Sequence, residues 1–109
     1  MSGPTIANAI PNALSIAGSD PSGGAGIQAD LKSFSANRVF GMAAITALTA
    51  QNTHGVSDIH LLPASFIASQ IDAIFEDVQV DAIKIGMVAT AEIAATVKKA
   101  IRDRPCRHI

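Results

Sequence analysis

The chain has no tryptophan and no tyrosine, and Phe34, Phe40, Phe66 and Phe75 are the only aromatic rings among its 109 residues. Platforms on which nucleic-acid bases stack are therefore scarce. Charge is scarce as well: 16% of residues are charged and the formal balance is -1, which leaves no basic face to neutralise a run of phosphates. Together these set nucleic acid aside as a partner. A lone cysteine, Cys106, has no disulfide partner, which suits a reducing compartment. With His108 it makes a pair too small for a zinc site, so no metal site is expected in the chain. No apolar run approaches the roughly 20 residues that span a bilayer, and the start of the chain lacks the cationic and apolar blocks of a secretory signal. The expectation is a cytoplasmic protein without membrane association.

What the chain has is apolar bulk, 49% of residues, enough for the core of one ordinary domain. Residues 1–12 carry Pro4, Asn8, Pro11 and Asn12 without a period and read as a loose leader, leaving 13–109 as the domain. Ala13 to Ala17, a short apolar run stopped by Gly18, predicts a buried strand. Ile27, Leu31 and Phe34 fall on one helical stripe, in a helix ending near Asn37. Met42 to Ala50 is continuously apolar and predicts one strand covered on both faces. After a turn at Asn52 to Gly55, the alternation from Val56 to Leu62 suits a strand near an edge. Pro63 fits the first position of a second helix with Ile67, Ile71, Ile74 and Phe75 inward. Val80 to Ile85 predicts a strand closed by Gly86, and Thr90 an N-cap for a third helix with Ile93, Val97 and Ile101 inward. This alternation gives an α/β fold with a mostly parallel sheet of about four strands, flanked by helices, ending where a further strand would follow.

The richest segment runs from Gly18 to Leu31. A strand ends, Asp20-Pro21-Ser22-Gly23-Gly24-Ala25-Gly26 turns sharply, and a helix opens on nearly bare backbone. Asp20 is placed to organise this loop by accepting backbone N–H bonds, with Gly23, Gly24 and Gly26 supplying the turn and the close approach. One reading is a tight turn and nothing more. A second is dinucleotide binding, because Gly24-Ala25-Gly26-Ile27-Gln28-Ala29 meets the G-x-G-x-x-G/A spacing. Against it, the first glycine stands too far from the strand and the second strand ends Thr49-Ala50-Gln51 with no acid for a ribose. A Walker phosphate loop fails because no Gly-Lys-Ser/Thr follows. A third is a floor for a small polar or anionic ligand at a helix N-terminus.

The run Gly18-Ser19-Asp20-Pro21-Ser22-Gly23-Gly24-Ala25-Gly26-Ile27-Gln28-Ala29-Asp30-Leu31-Lys32, followed in order by Ile45 to Thr53 and Lys84-Ile85-Gly86-Met87, resembles the hydroxymethylpyrimidine/phosphomethylpyrimidine kinases, thiamine-pathway enzymes of the ribokinase superfamily. The likeness extends from Ala13 onward. It implies a ribokinase-like fold, ATP-dependent phosphorylation of an aminopyrimidine alcohol and then of its monophosphate, ATP and Mg2+ as co-reactants, and a small-molecule pyrimidine as partner. It also implies a possible homodimer.

By the same resemblance Gln51 reads the pyrimidine ring and Asp30 meets the hydroxymethyl group. Gln51 suits its task because one amide both donates and accepts in a plane. Gly18 and Ala25 offer backbone and small surface, and Met87 an adaptable apolar wall. The family's ATP site and catalytic base belong to a C-terminal half that these motifs do not include, so no catalytic residue is expected in this chain and Cys106 does not match that motif. The alternatives are a non-catalytic pyrimidine-binding or assembly module, and a fragment of a pyridoxal-type kinase, the latter disfavoured by the fit around Gln51. His54 and His60 lack partners at triad or metal spacing, and the sequence leaves the direction of the Lys84 side chain open.

Overall fold

In the computed structural model of the chain, residues 10–109 are described. Five strands and three helices follow in the order β1 (Asn12–Ala17), α1 (Gly26–Ala36), β2 (Phe40–Ile45), β3 (Ala47–Asn52), β4 (Gly55–Leu61), α2 (Ala64–Asp77), β5 (Ala82–Ile85) and α3 (Ala91–Ile101). β1 is central in a parallel sheet of order β2-β1-β5, and β3 and β4 form a separate antiparallel pair.

The two faces of the parallel sheet differ because alternate residues of a strand point oppositely. Leu14 and Ile16, with Met42, Ala44 and Ile83 beside them, form one core with Ile67 and Ile71 of α2 and Ile93, Val97 and Ile101 of α3. The other face carries Ala13, Ser15, Ala17, Gly41 and Ala43, small side chains that let α1 lie close. A Cβ added at Gly41 would stand 2.9 Å from Leu31 Cδ2 and 3.0 Å from Phe34 Cδ2, so the stripe of α1 needs a glycine there. Thr90 caps α3, its hydroxyl accepting from Ile93 N at 3.1 Å, as the sequence predicts.

Several boundaries move. Met42 to Ala50 is not one strand: it breaks at the buried Thr46, and its second half leaves the sheet for the antiparallel pair, where Leu48 is exposed. The agent is Gln70 of α2, whose Oε1 accepts from Ile45 N and whose Nε2 donates to Ile45 O, both at 2.8 Å. This side chain ends β2 as a neighbouring strand would, and apolar periodicity carries no sign of it. The sheet therefore has three strands plus a hairpin of two, rather than about four together. β5 starts at Ala82 rather than Val80, and Pro63 occupies the N-cap rather than the first turn of α2. Of the segment 1–12, residues 1–9 lie outside the described residues, while Asn12 belongs to β1, where its Nδ2 donates to Gln79 O at 2.9 Å. At the far end His108 makes an isolated parallel bridge to Ala82, with Ile83 N donating to His108 O at 2.7 Å.

Candidate functional site

The turn after β1 has the chemistry its residues dictate. Gly23 N donates to Asp20 O at 3.0 Å, closing a four-residue turn with Asp first, Pro second and Gly last, the favoured type I arrangement. Asp20 is 3% exposed. Its Oδ1 accepts from Ser22 N at 2.9 Å and Ser22 Oγ at 2.7 Å, and its Oδ2 from Gly24 N at 3.0 Å. These donors hold its carboxyl below the ordinary 3.8, the Ser22 hydroxyl most strongly, with burial opposing and the backbone N–H groups of Ser22, Gly24 and Ala25 adding to the lowering. A lowered carboxyl stabilises the loop fully above the ordinary value and gives that up as the pH falls through the lower one. Gln28 Oε1 accepts from Asp20 N at 2.8 Å, which fastens the turn to α1.

Beyond this turn, at the C-terminal ends of β1 and β5, lies a cleft of about 290 Å³. This is where open α/β sheets bind ligands. Its lining includes Gly18, Ala25, Gly26, Gln51 and Met87, so five of the residues singled out in the sequence meet there from three separate segments. Asp20, Gly23 and Gly24 stand behind the lining as the loop's scaffold. Asp30 does not line it: its Oδ2 already accepts from Ser15 Oγ at 2.7 Å and from Lys84 Nζ at 2.9 Å. Its partner Lys84 does line the cleft. Periodicity leaves the direction of Lys84 open and does not single out Thr49, because the facing of a strand residue depends on what packs beside it.

Val56 and Ile59 of β4 and Met87, 83% exposed, form apolar walls. Thr49 donates its hydroxyl to Ser19 O at 2.8 Å and stands 3.2 Å from Gln51 Oε1. One hydroxyl proton serves one acceptor, and the shorter bond takes it. With the Gln51 amide turned over, its Nε2 donates to Thr49 and its carbonyl is free for a ligand. A larger cleft, about 650 Å³, lies by Val78 to Asp81 and Arg104 to Arg107 at the opposite end of the sheet. It gathers none of the predicted site residues, and the smaller cleft is the better candidate on chemistry. Among the described residues no group of three or more His, Cys, Asp or Glu is placed to hold a metal ion, and no helix is long and apolar enough to cross a membrane.

Fold and cleft together place the chain among the ribokinase-like α/β kinases. A phosphomethylpyrimidine kinase structure from Clostridium difficile is similar with a TM-score of 0.83 at 51% identity, covering 86% of this chain and 41% of that one. A Staphylococcus aureus pyridoxal kinase in complex with AMP-PCP is similar with a TM-score of 0.79 at 35% identity, covering 90% and 36%. More narrowly, the phosphomethylpyrimidine kinase family pattern matches residues 20–109, and the chain belongs to that family. The hydroxymethylpyrimidine/phosphomethylpyrimidine kinase of Escherichia coli is 53% identical over 98 residues, covering 90% of this chain and 37% of the relative. A thiamine biosynthesis multifunctional protein of Corynebacterium efficiens is 54% identical over 97 residues, covering 89% of this chain and 13% of the relative. The chain thus spans little more than a third of the single-function relative.

Proposed function

We propose that this chain forms the pyrimidine-binding part of a kinase that phosphorylates hydroxymethylpyrimidine and then its monophosphate in thiamine biosynthesis. The observation that carries the reading is the convergence of Gly18, Ala25, Gln51 and Met87 on one cleft at the carboxyl ends of the parallel strands. A flat aminopyrimidine fits between the apolar wall of Val56, Ile59 and Met87 and the backbone of Gly18 and Ala25. The Gln51 amide pairs with the ring nitrogen and amine along one edge. Asp20 contributes by rigidity, keeping the loop backbone in place before a ligand arrives.

ATP and Mg2+ enter as the co-reactants that kinase relatives imply. Among the described residues the lining of the cleft contains no carboxylate, so these residues do not suit Mg2+, and no step is derived through it. What they do is bind, orient and shield the acceptor.

Titration calorimetry of the chain with hydroxymethylpyrimidine is expected to show saturable binding. Gln51→Ala should weaken it by about 1–3 kcal/mol, by analogy with paired Gln–adenine contacts. Pyridoxal in the same experiment should bind more weakly. Absence of binding to a folded sample, or binding indifferent to Gln51→Ala, overturns the reading.

A further inference from the structure

Of the described residues lining the cleft, Lys84 alone carries a charge. Its side chain is half exposed, and its ammonium stands 2.9 Å from Asp30 Oδ2, whose own side chain is 19% exposed. The same carboxylate oxygen receives the fully buried Ser15 hydroxyl at 2.7 Å. Ser15 and Lys84 are register partners on neighbouring strands, so both reach the side of the sheet that α1 covers. Asp30 therefore anchors the ammonium from behind and occupies one of its three N–H groups, while the remaining donors have the cleft in front of them. Gly86 keeps that approach open: a Cβ there would lie 3.3 Å from Lys84 Nζ and 2.7 Å from Ala17 Cβ.

A neutral alcohol needs no cation, whereas a phosphomonoester does. Resting on the reading above, we propose that Lys84 is the phosphate contact for the phosphorylated pyrimidine, and that Asp30 is a positioning residue acting through it. With Asp30 already balancing part of its charge, the ammonium can tolerate the neutral alcohol and still give its free N–H groups to phosphate oxygens when the monophosphate arrives. One cleft then admits both substrates.

The test is titration of the chain with hydroxymethylpyrimidine, its monophosphate and ATP, with folding of each variant checked by circular dichroism. Lys84→Met should lower the ratio of monophosphate to alcohol affinity by about tenfold or more, the share of one charge-assisted hydrogen bond. Lys84→Gln serves if the methionine variant does not fold, and Lys84→Arg should recover part of the ratio. Asp30→Asn should change the ratio by less than Lys84→Met does, and adding it to Lys84→Met should change nothing further, since its effect is carried by Lys84. An unchanged ratio in Lys84→Met and Lys84→Gln overturns the assignment even if the alcohol binds. Loss confined to ATP overturns it too, assigning the ammonium to the nucleotide. Failure of both pyrimidines to bind the unmodified chain removes the proposed function along with it.

Discussion

Gly24 and Gly26 stand two residues apart in one loop, and a methyl group would do different things at each. A Cβ at Gly24 meets only Asp20 Oδ2, at 3.7 Å, an ordinary contact. At Gly26 the backbone has φ +61, and a Cβ would fall 2.4 Å from Gly18 O, the carbonyl that accepts Ile27 N at 2.9 Å to start α1. Gly24→Ala should thus change stability by no more than about 0.5 kcal/mol. Gly26→Ala should cost at least about 2 kcal/mol, combining left-handed strain with the clash. Urea denaturation of the two variants checks this, and equal effects would show that the loop relaxes freely. The sequence alone marks both glycines as loop organisers, because spacing records that a turn is needed but not which residue faces the opposing backbone.

The elements were legible where one helix face or one strand met one core. Ile67 and Ile71 of α2 and Ile93, Val97 and Ile101 of α3 are buried where their spacing puts them. The break at Thr46 was hidden because both halves of Met42–Ala50 are apolar, and the interaction that ends β2 comes from Gln70, 25 positions later. Gln70→Ala should destabilise the fold by about 1–3 kcal/mol, the penalty for leaving the Ile45 N–H and C=O without their partner. Ser69→Ala, on the exposed side of the same helix, should alter stability by less than about 0.5 kcal/mol. Chemical denaturation of both variants distinguishes a clamp from an incidental contact. In the cleft, Gln51, Gly18, Ala25 and Met87 were legible through motif resemblance and strand-end position. Lys84 was not, since its facing is set by α1 across the sheet.

At the scale of the whole molecule, order should be uneven. β1 is hydrogen-bonded on both sides and buried throughout, whereas every residue of β4 is exposed and pairs only with β3. Opening free energies follow such differences in burial and pairing, so amide hydrogen exchange should be slowest at Leu14 to Ile16 and fastest in the hairpin. The hairpin is also the part of the cleft with most to gain from a ligand. Gln51, Val56 and Ile59 line the cleft from one side, while Gly18, Ala25 and Met87 belong to the loops and helix start that the parallel sheet supports on the other. A pyrimidine bound between them joins the less stable unit to the more stable one, and binding to the closed arrangement alone stabilises it by mass action, by about 2.7 kcal/mol at a hundredfold excess over Kd. Hydroxymethylpyrimidine should therefore slow exchange selectively from Gln51 to Ile59, leaving α3 unchanged. Uniform slowing would mean that the hairpin and sheet already open together, and slowing confined to α3 would locate the ligand elsewhere.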